Sequence, residues 1–281
     1  MRRVFVVGAG QMGSGIAQVA AQAGREVTVR DVQQSFLDRG KKTIETSLGR
    51  LVKRGSLTEE QAGEALSRIR FSLDIEPARE ADLCIEAILE RYEEKAALWR
   101  DISAVAPERA VLASNTSSLP ITRLATNVAH PERFIGMHFM NPVPVMQLVE
   151  VITGLATAEE TTQAVEAEAK EYGKITVRAK DFPGFVSNRV LMPLINEAVF
   201  TLYEGVASAP DIDTVARLGM NHPMGPLQLA DFIGLDTCLY ILEVLYEGFG
   251  DPKYRPCPLL RQYVQAGYYG RKSGRGFYTY A

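Results

Sequence analysis

Of the three histidines in the chain, only His138 stands inside an apolar run. The run is GMHFMNPVPVMQLVEV, residues 136–151, and its single carboxylate is Glu150. An imidazole ordinarily titrates near 6.5, which suits it to pass a proton to and from a carbinol oxygen around neutrality. To do so the neutral ring must hold one tautomer. A carboxylate bonded to its other nitrogen fixes that tautomer and stabilises the imidazolium. Strand alternation over residues 147–153 puts Leu148, Glu150 and Ile152 on one face. A glutamate on an otherwise apolar face is costly unless a partner meets it. Asn141-Pro142-Val143-Pro144 supplies a turn that would bring this segment back beside His138. From these two residues alone, a core histidine with a separately solvated glutamate explains the pattern equally well.

A second stretch, Gly8-Ala9-Gly10-Gln11-Met12-Gly13, follows an apolar strand and opens a helix over residues 14–23, which Gly24 ends. Gly8 permits the tight strand-to-helix turn. Gly10 lets the backbone approach a pyrophosphate, and Gly13 lets the helix pack close on the sheet. The N–H groups at the helix start then face the phosphates. A lone G-x-G-x-x-G is a weak signal, but here an acid follows it, Asp31, 18 residues beyond Gly13 at the end of a second strand. Its carboxylate suits a bidentate bond to a ribose 2′-hydroxyl and repels a 2′-phosphate. NAD is therefore expected rather than NADP, although Arg30 works against that preference. The competing reading is a purely structural glycine turn.

Three more groups of residues carry chemistry. Ser114-Asn115-Thr116-Ser117-Ser118 closes another predicted strand, at the sheet edge where open α/β folds bind ligands. The plain alternative is a helix N-cap before Pro120, a role expected of Ser118. Asp181-Phe182-Pro183-Gly184-Phe185-Val186-Ser187-Asn188-Arg189 reads as a hinge. Asn188 falls in the first turn of the apolar helix that follows, where an amide can face a cleft. Ser47, Arg50 and Arg54 recur at i, i+3 and i+7 with Lys42 and Lys53 nearby, giving one basic helical face. Such a face is either simply solvated or able to grip phosphates.

These side chains need a framework, and the hydrophobic pattern supplies one. Strands are predicted over residues 4–8, 26–31, 69–73, 82–87, 111–114 and 134–138, with residues 147–153 and 174–177 able to extend the sheet. Helical stretches between most of them imply a mostly parallel sheet covered on both faces. Residues 32–68 are too long and too charged for a simple crossover and suggest a helical hairpin broken near Gly55. After about residue 184 the strand signals fade. The fold class expected is α/β: a Rossmann-type doubly wound sheet with a projecting helical hairpin, then an all-helical C-terminal domain. The boundaries are 1–183 and 184–281. A continuous apolar helix over residues 227–249 is expected either to be buried in that domain or to face a second copy of the chain; a homodimer through it is the expectation.

Composition sets the outer limits. The chain has 281 residues, 46% hydrophobic and 23% charged, with a net charge of −3. Nothing in that balance draws it to nucleic acid or an anionic membrane. Cys84, Cys238 and Cys257 are odd in number and widely spaced, matching neither a disulfide framework nor a zinc site. The opening apolar run ends at Val7, too short for a signal peptide. A cytoplasmic protein without a metal is expected.

Six stretches, VFVVGAGQMGSGIA, VLASNTSS, GMHFMNPVPVMQLVEV, DFPGFVSNRVLMPLINEA, NHPMGPLQLADFIGLD and GRKSGRGFY, occur in this order along essentially the whole chain. Together the sequence resembles the L-3-hydroxyacyl-CoA dehydrogenases, nearest to their short bacterial 3-hydroxybutyryl-CoA form. The resemblance implies reversible NAD-dependent oxidation of an (S)-3-hydroxyacyl-CoA to the 3-oxoacyl-CoA, with 3-hydroxybutyryl-CoA and acetoacetyl-CoA as the expected pair. It implies an active site of Ser117, His138, Glu150 and Asn188, with His138 as general acid and base oriented by Glu150. It implies cofactor contacts at Gly8, Ala9, Gly10, Gln11, Met12, Gly13, Asp31, Glu90, Lys95, Asn115, Ser117, Asn141 and Lys272. It implies coenzyme A contacts at Ser47 and Arg54, with Ser117 also on the substrate; many relatives carry lysine in place of Arg54. The hydratase region of the large fatty-acid-oxidation multienzymes is missing from the sequence.

Two rivals stand beside this reading. Lysine-dependent 3-hydroxyacid dehydrogenases share the glycine-rich start but place a catalytic lysine in the inter-domain helix, and residues 184–197 hold none. A catalytically silent nucleotide-binding or structural protein on the same fold would have no need of the His–Glu pair.

Overall fold

Short runs of valine, isoleucine, leucine and phenylalanine form eight strands in the computed structural model, which describes residues 1–280. They are β1 (Arg3–Val7), β2 (Glu26–Arg30), β3 (Ile69–Ser72), β4 (Leu83–Glu86), β5 (Val111–Ser114), β6 (Phe134–Phe139), β7 (Leu148–Thr153) and β8 (Ile175–Lys180). They make one sheet in the order β3-β2-β1-β4-β5-β6-β7-β8. The first six run parallel, β7 runs antiparallel to β6, and β8 runs parallel to β7. The central strands β4, β5 and β6 are buried at every residue, as continuous apolar runs in a two-sided sheet require. The expected sheet is therefore present, and both later runs extend it.

Helices α1 (Gln11–Gln22), α2 (Gln34–Lys53), α3 (Glu59–Ser67), α4 (Tyr92–Val105), α5 (Ile121–Ala125) and α6 (Glu159–Glu171) belong to this part of the chain. The hairpin of α2 and α3 turns at Gly55, whose φ of +72° suits a residue without a Cβ. Thr58 and Gln61 close a reciprocal capping box at the start of α3. Leu37, Gly40, Ile44 and Leu48 lie on one buried stripe of α2, so its base packs into the core while its far end stands exposed. A Cβ on Gly40 would lie 2.9 Å from the Ala9 carbonyl oxygen, so α2 crosses the glycine turn at backbone distance.

Ser118 is not the cap of α5. The N–H groups of Ile121 and Thr122 are bound by the Asp181 carboxylate at 3.0 and 2.7 Å. Asp181 follows β8, and only the folded sheet brings it there.

The described residues divide after Phe182 into two compact units. The second holds α7 (Ser187–Tyr203), α8 (Ala209–Thr214), α9 (Pro226–Ile233), α10 (Leu235–Phe249) and α11 (Pro258–Gln265). Its core is built from Met192, Ile195, Val199, Leu227, Leu242 and Leu245, among others. The expected helix over residues 227–249 is two helices. Gly234, at φ +106°, ends α9 and begins α10. A mid-helix glycine is a weak point in any apolar run, and here Asp231 exerts the stronger claim. Its carboxylate accepts the N–H groups of Phe277 and Tyr278, each at 2.9 Å, and pins the C-terminal segment beside the break. Among the described residues no helix is long and apolar enough to cross a membrane.

Candidate active site

The strand order reverses between β1 and β4, and the glycine turn sits at the carboxyl end of β1. Gly8 has φ +104°, and a Cβ there would meet the Ala87 carbonyl oxygen at 2.5 Å. A Cβ on Gly13 would lie 1.8 Å from the Gly8 carbonyl oxygen, whereas nothing lies within 4 Å of one built on Gly10. The turn is thus closed on its sheet side and open at Gly10, as approach of a pyrophosphate demands. The open side borders a cavity of about 780 Å³ lined by the turn together with Asp31, Val32, Phe36, Ile88 and Leu98. Asp31 accepts the Ala9 N–H on one carboxylate oxygen and the Val32 N–H on the other, both at 2.7 Å. These bonds fix a negative charge on the cavity wall. Gly13→Ala is expected to destabilise the fold by about 1–3 kcal/mol, the range for forced overpacking; urea unfolding measures this.

β6 and β7 pair so that His138 stands directly opposite Glu150. His138 Nδ1 lies 2.8 Å from Glu150 Oε2, and the two side chains are 11% and 1% exposed. The structure thus decides against a separately solvated glutamate. Two devices hold the return from β6 to β7. Gln11 donates from its amide nitrogen to Asn141 Oδ1 at 2.9 Å, which ties that turn to the glycine turn. Lys174 donates to the carbonyl oxygens of Val143 and Met146 at 2.5 and 2.8 Å, and burial lowers its pKa. Asn115 Oδ1 accepts the Phe139 N–H at 2.9 Å, so the segment after β5 is fastened to the residue beside His138.

That segment, residues 115–118, folds around one carboxylate oxygen. Glu90 Oε1 accepts the Thr116 hydroxyl at 2.5 Å, the Ser117 N–H at 2.9 Å, the Ser118 N–H at 3.0 Å and the Ser118 hydroxyl at 2.9 Å. Burial pushes the Glu90 carboxyl up, but the Lys95 charge and these donors outweigh it and hold it below the usual carboxylate range. The contribution to stability is present above about pH 4.3 and is lost as the pH falls below that. Lys95, on α4, is 1% exposed. Its ammonium pairs with Glu90 Oε2 at 3.2 Å and with Glu86 Oε1. Sequence reading missed Glu86 altogether, although a glutamate inside the apolar run LCIE carries the same signal that singled out Glu150.

Asn188 lies buried in the first turn of α7, and Lys272 pairs with Asp236 at the start of α10; both belong to the second unit. Ser47 is half-buried, and Arg50 and Arg54 are exposed towards the far end of α2, with Arg54 its C-cap residue. Among the described residues no cluster of three or more histidines, cysteines or acids is placed to hold a metal ion.

Comparison with known proteins identifies the family. Residues 3–182 match the family model of the 3-hydroxyacyl-CoA dehydrogenase NAD binding domain, and residues 184–280 that of its C-terminal domain. A Bacillus subtilis protein named as a probable 3-hydroxybutyryl-CoA dehydrogenase is 56% identical over 280 residues, covering 100% of this chain and 98% of its own. A 3-hydroxybutyryl-CoA dehydrogenase of Bradyrhizobium diazoefficiens is 51% identical over 280 residues, covering 100% and 96%. The crystal structure of (S)-3-hydroxybutyryl-CoA dehydrogenase from Ralstonia eutropha superposes with a TM-score of 0.98 at 50% identity, covering 100% of this chain and 99% of that one. With both domain models matched and relatives of this identity along its full length, the chain belongs to the 3-hydroxyacyl-CoA dehydrogenase family.

Proposed function

We propose that the protein catalyses the reversible NAD-dependent oxidation of (S)-3-hydroxybutyryl-CoA to acetoacetyl-CoA. The observation that carries this reading is the buried His138–Glu150 pair. It lies at the carboxyl edge of the sheet that also bears the glycine turn, and Asn141 and Gln11 bridge the two. NAD bound at the glycine turn and Asp31 would supply the hydride acceptor. His138 takes the hydroxyl proton on Nε2 while Glu150 holds Nδ1–H and stabilises the imidazolium. Ser117 and Asn188 position the substrate oxygen, and Asn115, Asn141, Glu90, Lys95 and Lys272 serve the cofactor side. Holding the carbinol in near-attack geometry is where such a site gains most. The test is NADH consumption with acetoacetyl-CoA by the purified protein. Turnover supports the reading; none, in folded protein that binds NADH, refutes it and favours the silent alternative. Rates on four-carbon and longer substrates test the chain-length assignment, for which the names of the relatives are the support.

Asp31 argues for NAD over NADP, because its pinned carboxylate would meet a 2′-phosphate with like charge, which costs several kcal/mol at an interface. Asp31→Ser is expected to shift the NADP-to-NAD ratio of kcat/KM by roughly 100-fold, equivalent to about 2.7 kcal/mol. An unchanged ratio would remove Asp31 from cofactor choice.

The basic far end of α2 is assigned to the coenzyme A phosphates, with Ser47 and Arg54 as contacts and Arg50 beside them. Contacts this exposed are worth roughly 0.2–1 kcal/mol each. Arg54→Ala is therefore expected to raise KM for the acyl-CoA only about two- to fivefold, an effect that fades in high salt. An equal effect on a truncated thioester lacking the nucleotide would refute the contact. The second unit carries exposed Val190, Leu194, Val206, Leu218, Met220 and Phe232, which supports a homodimer through this region. Sedimentation equilibrium decides it.

A further inference from the structure

We infer that Glu86 is a positioning residue which, through Lys95 and Glu90, sets the conformation of residues 115–118 and so the placement of Ser117. Glu86 ends β4 and is 0% exposed. Its Oε1 accepts from the Lys95 ammonium and from the Ile88 N–H at 2.9 Å, and its Oε2 accepts the Ser114 hydroxyl at 2.6 Å. Lys95 reaches on to the Ile88 carbonyl at 3.4 Å and to Glu90 at 3.2 Å. Glu90 in turn gathers the backbone and hydroxyl donors of residues 116–118.

Two carboxylates share one ammonium, in a setting where buried polar groups are expensive unless each is met by a partner. Neutralising a lysine would need only one acid. The second acid does something different, because each grips a different element. Glu86 holds the ends of β4 and β5, through Ile88 and Ser114, and Glu90 holds the loop. Lys95 is the link between them. With Glu86 in place the ammonium has a fixed station on the sheet, and Glu90 is held against it at a set distance. Without that station the ammonium is drawn wholly to Glu90, and the carboxylate that shapes residues 116–118 loses its reference to the strands. Buried ionic networks of this kind fix one geometry more than they add stability.

The functional half of this inference rests on Ser117 serving the reaction proposed above; the structural half does not, and the experiment separates them. Glu86→Gln keeps size while removing the charge and turning one of the two acceptor oxygens into a donor NH₂. Amide hydrogen exchange is expected to quicken about tenfold at Ser117 and Ser118, with the amides of β4 and β5 unchanged. In steady-state kinetics Glu86→Gln is expected to lower kcat about tenfold, and to raise KM for NADH as well, because Lys95 and Glu90 serve the cofactor side in the reaction proposed above. The Glu86→Gln/Ser117→Ala double variant should be no worse than the poorer single variant, because coupled residues are non-additive. Unchanged exchange at Ser117 and Ser118, or exchange rising evenly along β4 and β5, overturns the inference. So do losses that multiply in the double variant. If wild-type protein shows no turnover, the proposed function fails, and the exchange measurement still decides the role of Glu86. Should Glu86→Gln not fold, Glu86→Asp, which keeps the charge but shortens the reach to Ile88, Lys95 and Ser114, is subject to the same two criteria at smaller amplitude.

Discussion

His138→Gln is expected to lower kcat by about 10²–10⁴-fold, the range over which a positioned acid–base group acts, while NADH binding stays within about twofold. Glutamine can fill the space and donate towards Glu150, but it cannot take up a proton near neutrality. In the direction of acetoacetyl-CoA reduction the proton for the carbinol oxygen would then have to come from water, so the chemical step slows while the glycine turn and Asp31 remain untouched. That split is the signature: a large loss in turnover at nearly constant cofactor affinity. The measurement is NADH oxidation under saturating acetoacetyl-CoA beside a fluorescence titration of NADH. Wild-type turnover in a folded variant would end the assignment of His138. A fall in turnover matched by a fall in NADH affinity would mean that the ring only supports the cofactor site.

Glu150→Gln is expected to cost nearly as much, on the order of 10³–10⁴ in kcat, for a different reason. The pairing of β6 with β7 puts the glutamate directly across from His138, with Nδ1 and Oε2 2.8 Å apart. An amide at that place removes the charge that stabilises the imidazolium. It can also turn its NH₂ towards Nδ1, which selects the tautomer with the proton on Nε2 and so blocks Nε2 as the base. Stability should change little, since a buried charge is replaced by a neutral group of the same shape. The check is kcat alongside thermal unfolding: a large loss in rate at a nearly constant midpoint. Loss of the fold with a normal specific activity in the folded fraction would assign Glu150 a purely structural role. The double variant should be no slower than His138→Gln alone, because Glu150 acts through the ring.

The chain written as letters was enough to expect six of the eight strands and to mark the two runs that extend the sheet, the hairpin broken near Gly55, the helical second part and the glycine turn. Each rests on local patterns of apolar period and turn residues, which neighbouring letters contain. It was also enough to suspect the His138–Glu150 pair, because one short turn separates their strands and a one-residue slip would have thrown Glu150 to the other face. What only the tertiary structure decided lies in contacts between elements far apart in sequence. Gly234 divides the expected helix of residues 227–249, and Asp231 in α9 holds the N–H groups of Phe277 and Tyr278 beside that break. Asp181, not Ser118, caps α5 across 60 residues. Glu86 binds Ser114 across 28 residues, and Glu90 binds the loop that follows. A buried charge announces in the sequence that it needs a partner; which partner it finds is set by the order in which the strands lie side by side, and no local pattern carries that order.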